Sequence, residues 1–96
     1  MSGAGQAGGV ERLVGEVKAG RGGVMTDEVG VVTGGLTVAT AARNDGLADI
    51  TLQYTGAEEW YTLTGSPVDV PAEGLQHLHH TVLDKIRDGG GARAPR

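Results

Sequence analysis

The sequence predicts an α+β fold: a small antiparallel β-meander of three or four strands, with an N-terminal helix and a longer C-terminal helix packed on one face. Three observations carry this reading. LTVATAAR (36–43) and ADITLQYT (48–55) alternate apolar and polar residues around Asn44-Asp45-Gly46, the pattern of two half-buried strands joined by a tight turn. AEGLQHLHHTVLDKIRD (72–88) puts Leu75, Leu78, Val82 and Ile86 on one helical stripe, with Leu83 beside it. GGVERLVGEVKAG (8–20) spaces Val10, Leu13, Val14 and Val17 at i, i+3, i+4 and i+7, which fits a second, shorter amphipathic helix.

Taken in order, residues 1–8 have the composition of a flexible lead, and residues 9–88 form a single domain. Gly20 is placed to end the N-terminal helix, although Gly15 in its middle costs about 1 kcal/mol against Ala and makes it stable only when docked. GRGGVMTDE (20–28) reads as a loop and VGVVT (29–33) as a short strand before Gly34-Gly35. Gly46 fits the left-handed position closing a three-residue hairpin loop. That loop pairs Ala42 with Ala48, Thr40 with Ile50, Val38 with Leu52, and Leu36 with Tyr54.

The second hairpin decides where the single Trp goes, because Trp60 and Tyr61 must face opposite ways in a strand. A three-residue loop sets Tyr54 against Trp60; a four-residue loop, Gly56 to Glu59, sets Tyr54 against Tyr61 and Leu52 against Leu63. Burial favours the second register, since it gathers apolar residues on one side. The core face is then Leu36, Val38, Ile50, Leu52, Tyr54, Tyr61 and Leu63, and Trp60 lies outside. Ser66 or Asp69 helps shape the following connection, Pro71 suits a first helical turn, and Gly89-Gly90-Gly91 ends the helix. Residues 89–96 then form a flexible tail of Gly and Arg.

Composition narrows the functions. With no Cys, thiolate nucleophiles, thiolate metal sites and disulfides are excluded, and a cytoplasmic address is expected. The start lacks the basic residues and apolar run of a signal peptide, and no apolar stretch approaches the ~20 residues of a membrane span. An acidic chain of net charge −4 is poorly suited to holding nucleic acid, which is bound largely by phosphate neutralisation. Its basic residues cluster only at Lys85, Arg87, Arg93 and Arg96. The preference for Arg over Lys, with abundant Gly, Ala and Val, is the usage of a G+C-rich gene. Neither Ser2 nor Ser66 has a placed histidine, the Gly-rich pieces lack a Lys-Ser/Thr ending, and Glu58-Glu59 reads as a solvated loop tip. The chain is therefore expected not to be an enzyme and to need no cofactor.

Two surfaces remain. The outer sheet face carries Thr51, Gln53, Thr55, Thr62 and Thr64 with Trp60 near its edge. Trp is favoured at protein contacts, so this face is the expected interface for a second copy of the chain or another protein; its plain alternative is a solvated face of good strand formers. On the C-terminal helix, Glu73, His77, His80 and Asp84 fall within about 60° of one another, an arrangement suited to a divalent metal or small ligand. Their spacing matches neither H-E-x-x-H nor the E-x-x-H of di-iron bundles. His79, inside the apolar stripe, is expected at the core margin, where its ionisation makes stability or dimerisation depend on pH.

Overall fold

The computed structural model describes residues 11–95, so the lead and Val10 lie outside it. Among the described residues, seven strands precede one helix: β1 (Arg12–Lys18), β2 (Val24–Thr26), β3 (Gly30–Val32), β4 (Gly35–Ala42), β5 (Leu47–Tyr54), β6 (Tyr61–Thr62), β7 (Val68–Asp69) and α1 (Leu75–Asp88). The main antiparallel sheet runs β1-β4-β5-β6, with β7 also paired to β5, and β2 and β3 form a separate hairpin. The fold is α+β with one helix, packed on one face of an antiparallel sheet.

The β4–β5 hairpin adopts the register expected of it, from Leu36 opposite Tyr54 to Ala42 opposite Ala48. Arg43 N–H closes its loop onto Leu47 C=O at 2.7 Å, Leu47 N–H donates to the Asp45 carboxylate, and Gly46 takes φ 86°. Leu36, Val38, Thr40, Ile50 and Leu52 thereby face inward and are buried.

The expected N-terminal helix is instead strand β1, paired along its length with β4 from Arg12 opposite Ala41 to Lys18 opposite Gly35. RLVGEVK fits a two-residue period as well as a helical one. Leu13, Gly15 and Val17 fall on the inner face, and Arg12, Val14, Glu16 and Lys18 on the other. Two β-branched residues and a Gly make the segment a poor helix, and the ladder with β4 resolves the ambiguity in favour of a strand. Gly15 then has a packing reason. A Cβ there would lie 3.2 Å from His79 Nε2 and from a Leu83 methyl, so the missing side chain is what lets α1 lie close to the sheet.

The helix presents the expected stripe, with Leu75, Leu78, Val82 and Ile86 buried against the sheet and Leu83 at its margin. It starts later than expected. Pro71 lies in the turn ahead of it, and Gly74 is the N-cap, without a side-chain hydrogen bond. At the other end Gly89 N–H bonds the carbonyls of Lys85 and Ile86.

The second hairpin slips by two residues from the expected register, placing Leu52 opposite Tyr61 and Thr51 opposite Thr62. A shift of two preserves the facing of every side chain, so Leu63 still enters the core, its N–H bonded to Ile50 C=O, and Trp60 still points outward. Tyr54 and Tyr61 meet edge to face, centroids 6.4 Å apart, at the sheet's end rather than in the core. Ser66 Oγ accepts the Ile50 N–H at 2.8 Å just beyond β6, which is how it shapes the connection.

The segment from Gly89 to Pro95, expected as a flexible tail, is tied to the rest of the chain. Gly90 N–H bonds Arg21 C=O, Ala92 N–H bonds Gly23 C=O, Met25 N–H bonds Ala92 C=O, and Ala94 N–H bonds Thr64 C=O. Ala92 and Ala94 are buried. Glycines on both sides let the backbones approach this closely. A Cβ on Gly20 would overlap the Arg87 carbonyl oxygen, and one on Gly89 would overlap the Arg21 carbonyl oxygen. Gly20→Ala is therefore expected to lower stability by about 2 kcal/mol or more, as overpacking against backbone does, whereas Gly34→Ala meets no atom within 4 Å and carries only the strain of its φ of 88°. Urea unfolding of the two variants measures the difference.

Candidate functional site

The inner sheet face is covered by α1, which leaves the outer face of β1-β4-β5-β6 as the surface on which Trp60 stands. Trp60 is 37% exposed and Val14 is 51% exposed, both on this side. The Arg12 guanidinium lies over the Trp60 ring, 5.2 Å from its centroid, a cation–π contact worth about 0.5–1 kcal/mol when exposed. Arg12 and Trp60 are separated by β4 and β5, so the contact spans the coiled sheet. Ala39, in register between Val14 and Thr51, is 1% exposed although no described helix lies on this face.

The polar side chains expected to line the interface are mostly occupied within the chain. Thr55 and Thr37 hydroxyls hydrogen bond at 3.1 Å, and Gln53 Nε2 donates to Ala57 C=O at 2.9 Å. Thr62 donates twice to Glu28, its N–H to Oε1 and its hydroxyl to Oε2, each at 2.7 Å. Thr64 donates its hydroxyl to Asp27 Oδ1 at 2.9 Å, and Asp27 N–H returns a bond to Thr62 C=O. Thr51 sits opposite Thr62 on the same face. The Thr62 hydroxyl and N–H together hold the Glu28 carboxyl below its ordinary range, since they favour its charged form. The residues missed in the sequence are Arg12, Val14, Glu28 and Asp27. The alternation of RLVGEVK was the available signal for the first two. Nothing local pointed to the carboxylates, whose partners lie more than thirty residues away.

Glu28 has a structural consequence. Together with the Thr26–Leu63 bridge and the Thr64 N–H to Met25 C=O bond, it closes the outer edge of β6. The opposite edge, β1, is different. The bonds Ala19 N–H to Gly34 C=O and Ala42 N–H to Glu11 C=O fix the phase of the β1–β4 ladder. Odd-numbered residues of β1 bond across to β4, and the N–H and C=O groups of Arg12, Val14, Glu16 and Lys18 point away from it. Among the described residues, no backbone group meets them.

The alternative ligand set is not brought to a point. Glu73 precedes the helix N-cap, and Asp84 is paired with Arg87 at 2.8 Å. His77 lines a depression of 210 Å³ with Asp69, Pro71, Leu78, Thr81 and Pro95, which His80 and Asp84 do not line. Among the described residues, no group of three or more His, Asp or Glu side chains is arranged to hold a metal ion. No described helix is long and apolar enough to cross a membrane.

His79 is 6% exposed, and its Nδ1 shares a 2.8 Å hydrogen bond with the buried Thr40 hydroxyl. Burial, and secondly the neighbouring His80, push its pKa below the ordinary 6.5. Compared with known proteins, the chain matches no family model, no curated protein and no solved structure.

Two outcomes are expected. His79 binds a proton more readily unfolded than folded, so its contribution to stability is complete above pH ~6.5 and is lost as the pH falls below that toward its lower folded pKa. Denaturant midpoints measured across this range should fall less steeply in His79→Asn. Glu28→Ala should speed hydrogen exchange at the Thr62 amide while leaving that of Leu63, bonded to Ile50, unchanged.

Proposed function

We propose that this chain is a small non-enzymatic protein that works through protein–protein contact, first of all with a second copy of itself, using the outer sheet face around Trp60. The observation that carries the reading is that Trp60, fixed in orientation by Arg12, stands part-exposed on the outer face together with half-exposed Val14. A large aromatic side chain held in one orientation loses little entropy on contact, and Trp and Arg are the residues that most often dominate interface energies. The engagement of the threonines shifts the emphasis within this face. Thr62, Thr64 and Thr55 are held by hydrogen bonds within the chain, and Trp60, Val14 and Arg12 supply the contact. Among the described residues, Val29, Val31 and Tyr54 are the other exposed large apolar side chains, and they lie on the β2–β3 hairpin or at the end of β5.

Sedimentation equilibrium of the wild type and Trp60→Ala tests the proposal. The expected result is self-association in the wild type, weakened at least tenfold in Trp60→Ala. The variant's unfolding free energy should fall by no more than about 1 kcal/mol, the size of the lost cation–π contact. A wild type that stays monomeric at high concentration and retains no partner would overturn it.

A further inference from the structure

We infer that the second copy joins edge to edge along β1, its strand antiparallel to the first about a two-fold axis through Val14, so that the two sheets become one. The inference rests on the self-association proposed above and specifies its geometry. The outward-pointing backbone groups of β1 belong to Arg12, Val14, Glu16 and Lys18, so only registers that pair even-numbered residues with even-numbered ones satisfy them on both sides. Centring the axis on Val14 sets Val14 against its own copy and Arg12 against Glu16 of the second chain, twice by symmetry. Each of these pairs exchanges both backbone hydrogen bonds, and the two Arg12–Glu16 pairs also set opposite charges across the strands. Moving the axis to Gly15 would set Arg12 against Lys18 and Val14 against Glu16, placing like charges directly opposite each other. Charge thus selects one register.

The rest of the molecule accommodates it. Gly15 has no side chain, so Leu13 of the second copy, opposite it on the inner face, meets open backbone rather than a Cβ. Both helices lie on the inner face and both Trp60 rings on the outer one, so the combined sheet presents one continuous outer surface. The far edge at β6 is already closed by Glu28, which confines growth to a pair of chains rather than an open ribbon.

The chain has no Cys, which makes a single introduced thiol a clean probe. In a hydrogen-bonded antiparallel pair the Cα atoms are about 5.5 Å apart, within disulfide reach. Val14→Cys in the full chain should form a covalent dimer under mild oxidation, while Val31→Cys, equally exposed on β3, should not. Val14→Pro removes an N–H that β4 does not use and should give a folded monomer by sedimentation and circular dichroism. Should Val14→Pro fail to fold, charge exchange serves instead: Arg12→Glu and Glu16→Arg should each weaken the dimer at least tenfold, and the double variant should restore it. A dimer that survives Val14→Pro but is lost in Trp60→Ala would overturn edge pairing and leave the outer-face reading standing. A monomeric wild type would overturn both. A monomer that dimerises only once residues 1–10 are removed would show the chain's own lead occupying the edge in place of a second copy.

Discussion

A strand turns successive side chains to opposite faces, and in this protein the β4–β5 hairpin decides which ones meet the helix. Its register commits Leu36, Val38, Thr40, Ile50 and Leu52 to one side, and α1 covers that side. Every neighbouring strand inherits the choice. β1 must turn Leu13, Gly15 and Val17 toward the helix, and β6 must send Tyr61 and Leu63 inward and Trp60 outward. Because slipping by one residue would exchange all these faces at once, the hairpin's short loop and its Asp45 and Gly46 geometry govern surfaces far from it.

The parts of the fold legible in the sequence are those whose periodicity points to a single structure. The hairpin pairs and the Leu75–Ile86 stripe belong here. The outward position of Trp60 was also legible even though the second hairpin lies two residues from its expected register, because burial fixes parity and is blind to an even shift. RLVGEVK was not legible because its apolar residues suit either period, and the deciding partner, β4, is distant in the chain, from Lys18 opposite Gly35 to Arg12 opposite Ala41. The final segment failed for a different reason. Its glycines suggest freedom when read by composition, yet here they remove side chains that would hold two backbones apart. Of the candidate face, Trp60 and the threonines could be read, while Arg12 and Val14 depended on recognising β1 as a strand.

The sheet's two margins are treated differently. At β6 a carboxylate takes both the N–H and the hydroxyl of Thr62, so the polar groups of that edge are met within the chain. β1 is longer, alternates charge with one valine, and turns its backbone groups outward. A single outer surface therefore joins an anchored aromatic ring at one side to a row of hydrogen-bonding groups that no described backbone meets at the other.

The seam that ties Gly89–Ala94 to Gly20–Met25 and to Thr64 also bears on the order in which the chain folds. Val24 and Ala92 pair across roughly seventy residues, a contact that closes almost the whole described chain into a loop. The β4–β5 hairpin and α1 need no such closure, so they are the natural early structures, and the seam completes only after both are in place. It also bonds Gly20 to the last turn of the helix through Ile86 C=O. Breathing of the native state should therefore begin at this seam, with the helix's final turn and the glycine strap opening together, while the central hairpin opens only when the whole domain does.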